Sequence, residues 1–148
     1  MVTQSLIQLF SRDLNKLKEE INLYKDESNI WKTKGSVTNT AGNLCLHLIG
    51  NLNHFIGAAL GDSGYIRQRD LEFSLKNISR KEMTKQIDDT ILIIELALKQ
   101  LSNDDLKKEY TYRVFKLPTS TEYFLIHLAM HLTYHLGQIN YHRRMLDK

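Results

Sequence analysis

The sequence predicts an all-α protein, a bundle of four helices with a long connection between helices two and three. Three observations carry that reading. Apolar residues recur at spacings of three and four over four separate stretches, the period of a helix with one buried face. One proline and seven glycines in 148 residues leave little punctuation, which suits long helices better than a many-stranded sheet. Apolar residues at 42% and charged residues at 25% are ordinary for a globular chain, and residues 1–148 suffice for a single domain with a real core.

The first helix is expected over about residues 3–26, with Leu6, Leu9, Phe10, Leu14, Leu17, Ile21 and Tyr24 on its buried face. Residues 26–40 are polar, contain Gly35 and read as a loop, with Trp31 a hydrophobic plug against the bundle. The second helix follows from about Ala41 to Leu60 with Thr40 as N-cap, and Gly57, Gly61 and Gly64 mark its end and the next turn. Residues 61–78 form the long connection, whose Arg67-to-Phe73 charges are expected to pair with each other rather than edge a pocket. Ser79-Arg80-Lys81-Glu82 fits a capping box and opens the third helix, to about Leu101, which buries Met83, Ile87, Ile91, Ile94, Leu98 and Leu101. Tyr110, Tyr112 and Val114 then alternate with polar residues, as in a short extended stretch. Thr119-Ser120-Thr121-Glu122 repeats the capping box after Pro118, and the fourth helix runs to about Leu146.

Composition excludes several function classes. The net charge of +3 is small and dispersed, so the concentrated basic face that nucleic-acid binding needs is lacking. A single cysteine, Cys45, allows no internal disulfide and suits a reducing cytoplasm; flanked by leucines, it reads as a buried thiol. No apolar run approaches 18 residues and no basic-then-apolar leader opens the chain, so no membrane association is expected.

The six histidines concentrate on two helices. On the fourth, with His131 at zero, His135 lies about 40° towards the apolar stripe of Leu125, Leu128, Leu132, Leu136 and Ile139. His127 lies about 40° the other way and turns outward, and His142 sits about 10 Å further along the axis. An i, i+4 pair stacks two imidazoles that can converge on one cation, though two hydrogen-bonded histidines at a helix edge would have the same spacing. Leu132-Thr133-Tyr134 lacks the glutamate of His-Glu-x-x-His, so that type of general base is missing. On the second helix His47 adjoins the apolar arc of Leu44, Leu48, Leu52 and Phe55, while His54 lies further out and reads as a surface histidine. Cys45 points about 160° from His47, which argues against it as a nucleophile there.

The segments Asn43-Leu44-Cys45-Leu46-His47-Leu48-Ile49-Gly50-Asn51 and His131-Leu132-Thr133-Tyr134-His135-Leu136-Gly137-Gln138-Ile139 resemble the DinB-like superfamily of small bacterial four-helix proteins. Arg67-x-Arg69-Asp70-x-Glu72-Phe73 is similar to one branch of that group. The pieces are specific together and weak apart, and the helix order covers nearly the whole chain. The resemblance implies a metal triad of His47, His131 and His135 holding a divalent ion, zinc or nickel, in a homodimer. It also implies kinship with transferases that attach low-molecular-weight thiols such as bacillithiol to electrophiles.

Three neutral histidines leave a metal open positions, as at catalytic rather than structural sites. Asn51 and Gln138 sit near ligand histidines and can orient a ligand or bound water, and Tyr134 can donate a hydrogen bond near the opening. Two rival functions share the same ligands: a metal-dependent hydrolase, and a non-enzymatic metal-binding, stress-associated dimer.

Overall fold

The computed structural model describes residues 1–148 and is all-helical. Its helices are α1 (Val2–Leu23), α2 (Ala41–Leu52), α3 (Arg69–Ser74), α4 (Arg80–Lys99), α5 (Asn103–Lys107) and α6 (Thr121–Leu146). The third and fourth expected helices are α4 and α6. The long helices enclose one core, with α1 packed on α4 and α6, and α2 packed on the same two.

The α1 stripe is buried as the spacing predicts, except for Leu9, which is exposed at the α1–α6 edge. Two carboxylates inside that interface fix the register of α6. Asp13 accepts from the Thr133 hydroxyl at 2.7 Å, and Glu20 accepts from Asn140 at 2.7 Å and Arg143 at 2.8 Å. Hydrogen bonds to charged groups are the stronger kind, so these pins hold the helix that carries four of the six histidines.

Thr40 caps α2, its hydroxyl accepting from the Asn43 N–H at 3.0 Å. Every residue of Ala41–Leu52 is buried. The helix then widens into a π turn over Asn53–Ala58 and ends at Gly61. Asn53 bonds back to Ile49 O and across to Thr90 at the widening, both at 2.9 Å. Gly57 is therefore helical rather than a stop signal, whereas Gly61 closes the helix as expected. A Cβ on Gly57 would come 2.8 Å from Ile93, and one on Gly61 2.8 Å from Ala97, so both glycines let α4 approach closely. The turn itself falls at Asp62 and Gly64, both with positive φ.

Residues 41–61 form a longer apolar segment than consecutive residues suggest. By length and composition this segment could cross a membrane, at a mean hydropathy of 1.2, although 61% of that window is buried as in a core helix. Asn43, His47, Asn51 and Asn53 interrupt the run and hid it from a reading of consecutive residues.

The connections hold more structure than expected. Residues Glu27–Trp31 form a 3₁₀ turn, and Trp31 packs over Gly42 so closely that a Cβ there would overlap its ring. Ser102 and Asp105 make a capping box that starts α5. The expected extended stretch reduces to a single bridge, Glu109 to Ser120. Both predicted boxes are half right. Ser79 accepts from Glu82 N–H, but Glu82 turns to Gln86 instead of reciprocating. Ser120, not Thr119, caps α6, accepting from Tyr123 N–H at 3.1 Å, so Glu122 is out of register to reciprocate.

Candidate metal centre

His47 lies midway along α2, and α6 brings His131 and His135 against it. The Nε2 atoms of His131 and His135 are 3.0 Å apart, and those of His47 and His131 are 3.4 Å apart. One nitrogen from each ring lies within 4.8 Å of the others, so the set can hold a metal ion. Ligands about 2.0–2.1 Å from a shared zinc at tetrahedral angles sit about 3.4 Å apart, so the observed spacings fit.

The outer nitrogens decide which lone pairs face inward. His47 Nδ1 is 3.0 Å from Glu72 Oε1, and His135 Nδ1 is 2.7 Å from Gln138 Oε1. Both oxygens accept, so each Nδ1 carries the hydrogen and each Nε2 presents its lone pair to the cluster. This carboxylate–histidine arrangement orients a ligand ring and raises its basicity. Without a cation, one proton on His131 Nε2 can satisfy only one of the two facing nitrogens. The other is left as a lone pair without a donor, a deficit that a cation relieves.

Burial pushes His131 down to about 4, with further lowering from His135, His47, His127 and Arg67. His135 is also lowered, by burial against the opposing Gln138 hydrogen bond. Both rings stay neutral near pH 7 and available as ligands.

Glu72 is the functional residue that sequence reasoning missed. It is buried on α3, where Arg67 grips it with Nε to Oε2 at 2.9 Å and Nη2 to Oε1 at 2.9 Å. Burial raises its pKa, but the hydrogen bonds from His47 and Arg67, with Arg67's charge, outweigh that and hold it below the usual range. Gly50 provides the seat, because a Cβ there would overlap the carboxylate. Asn43 secures the segment by donating to Glu72 O at 2.9 Å and Leu75 O at 2.8 Å. The expected pairing within the Arg67–Phe73 charges does occur, and it serves His47. The available signal was an acid that follows two arginines and stands beside an aromatic residue. Replacing Glu72 by Gln is expected to weaken divalent-metal affinity between about 10- and 100-fold, measured by competition with a chelating dye.

The remaining candidates divide clearly. Asn51 is buried one turn along from His47, and Gln138 holds His135. Tyr134 is exposed with its ring 5.4 Å from that of His135, and its hydroxyl makes no hydrogen bond to the cluster. His142 lies apart, bonded to Tyr24 Oη at 2.6 Å and Lys32 O at 2.7 Å. His127 stands against Phe115 at 4.9 Å. His54, expected on the surface, is half-buried and stacks on Tyr112 at 5.4 Å. Cys45 is fully buried, and burial pushes its thiol up to about 12, so it is no nucleophile.

A family model described as "Protein of unknown function (DUF1572)" matches residues 3–148, and the chain belongs to that family. No curated protein matches it.

Proposed function

We propose that this member of the DUF1572 family is a divalent-metal-dependent thiol S-transferase with the four-helix architecture of DinB-like proteins. The observation that carries the reading is the convergence of three Nε2 atoms whose rings are oriented, in two cases, by Glu72 and Gln138. His47, His131 and His135 would hold the ion, zinc or nickel. When bound, a divalent cation supplies Lewis acidity that lowers the pKa of a thiol presented to it.

The chain's own charges favour an anionic partner for that ion. Three neutral imidazoles contribute nothing, and Arg67 cancels Glu72, so the surroundings add no net charge to the cation. Phe73, with its ring 5.0 Å from that of His47, and the Phe115–His127 pair beside His131 form apolar walls around the cluster. Such walls limit competing water and suit a small organic substrate. In the transfer the thiol sulfur bonds to the electrophilic carbon, the leaving group departs with its electron pair, and the thiol proton passes to solvent.

The test is elemental analysis of the purified protein, followed by an assay with a low-molecular-weight thiol, such as bacillithiol, and an electrophile. A first-row divalent metal and metal-dependent thiol consumption are expected. Turnover of esters without thiol would make the protein a hydrolase, and metal without any turnover would make it a binding protein.

A homodimer is the oligomeric state we propose, built on the outer face of α1 and α6. Leu9, Ile126, Met130 and Tyr134 are exposed there around a largely apolar hollow of about 470 Å³. Contiguous apolar surface of this kind marks protein contacts. Met130→Glu is expected to convert a dimer to a monomer in analytical ultracentrifugation while leaving metal content unchanged. A dimer that persists in this variant would move the interface elsewhere.

A further inference from the structure

Two polar atoms near the cluster are buried without a partner, and they are chemically complementary. One is His131 Nδ1, and the other is Asn51 Oδ1. If His131 directs its Nε2 lone pair at a cation, its Nδ1 must carry a hydrogen, and a buried donor needs an acceptor. His47 and His135 already have one each, in Glu72 and Gln138. His131 alone lacks it.

The helix pairing places Asn51 at the right level. The α2 and α6 helices run antiparallel: the His47 ring meets those of His131 and His135, while the Phe55 ring meets that of Phe124. Asn51 is one turn from His47 in the direction of Phe55, so its level on α6 lies between Phe124 and His131. It is itself 7% exposed, which leaves its side chain few partners other than this neighbourhood. A buried asparagine with an unused oxygen is uncommon unless something completes it.

We propose that Asn51 is the positioning residue for His131, its side-chain oxygen taking the Nδ1–H directly or through one ordered water when a cation is bound. A bridging water is reasonable where polar groups line a small gap, and it orients nearly as well as a direct bond. Resting as it does on the metal reading, this assignment completes a ring of three outer partners drawn from α2, α3 and α6. One partner, that of His47, is a carboxylate and the other two are amides.

The test compares zinc affinity, by competition with a chelating dye at pH 7, for the wild type, Asn51→Leu and Asn51→Asp. Asn51→Leu keeps the volume and removes the acceptor, and it should bind zinc about 10- to 100-fold more weakly. Asn51→Asp restores an acceptor and should recover affinity, which a purely structural role would not produce. Nitrogen-15 NMR of the zinc-loaded wild type should show a His131 Nδ1–H protected from exchange, and Asn51→Leu should lose that protection. Wild-type affinity in Asn51→Leu overturns the proposal, as does an unprotected Nδ1–H. If Asn51→Leu does not fold, protection in the wild type and the affinity of Asn51→Asp decide the matter. A wild type that takes up no zinc defeats the metal reading itself, a result distinct from a defect confined to the variants.

Discussion

A His131→Ala protein is expected to lose its divalent metal and keep its fold. His131 is the vertex of the cluster, with its Nε2 3.0 Å from that of His135 and 3.4 Å from that of His47. Removing it leaves two ligands on different helices with no shared neighbour. Disturbing an outer partner of a ligand costs about 10- to 100-fold in affinity, so removing a central ligand should cost more than about 100-fold. The fold should survive because the ring is only half-buried and the stripe of Leu125, Leu128, Leu132 and Leu136 is untouched. Alanine is also the better helix former, and the change removes the crowding of inward lone pairs. Elemental analysis and far-UV circular dichroism check the two halves. Unchanged metal content in a folded variant would remove His131 from the ligand set.

How far the site could be read from sequence follows the distance between its parts. His131 and His135 are one turn apart on one helix, so their convergence needed only helical geometry. His47 stands 84 residues from His131 in sequence, and its contribution depended on the register in which α2 meets α6. Asp13 and Glu20 help to set the position of α6, through partners 120 and 123 residues away that no local pattern announces. Glu72 was hidden for a similar reason. It lies in a connection, 25 residues from the histidine it orients, and its neighbours suggested only charges that pair with one another. The fold was more legible because apolar period is a local property. Its errors were also local in cause. Leu9 fell within the stripe by spacing but lies at an edge, and Gly57 resembles a helix stop until Ile93 is seen against it.

Arg67→Ala should produce the largest loss of stability, because it strands a buried charge. Glu72 has a side chain 6% exposed, and Arg67, at 12%, supplies both of its charged hydrogen bonds. Breaking a buried pair by removing one partner costs about 3–5 kcal/mol, since the remaining charge loses its compensation. His47 Nδ1–H stays as a neutral donor and recovers part of that. Glu72→Gln combined with Arg67→Ala should therefore be more stable than Arg67→Ala alone, a coupling that a double-mutant cycle by urea unfolding measures directly. The pH dependence distinguishes this cause from lost packing over Phe55, where Arg67 lies 5.6 Å from the ring centroid. In the wild type the folded Glu72 pKa is below 4.5, so its contribution is present above 4.5 and is lost as pH falls through the folded value. Without Arg67, one of the two lowering hydrogen bonds and the Arg67 charge are lost while burial stays, so the folded value rises relative to wild type. The folded variant then takes up its proton at a higher pH than the folded wild type, so its deficit relative to wild type should shrink as pH is lowered through that raised value. A deficit that stays constant with pH would point to the Phe55 contact instead. Metal affinity should fall as well, because Glu72, without the Arg67 clamp, holds His47 Nε2 on the centre less firmly.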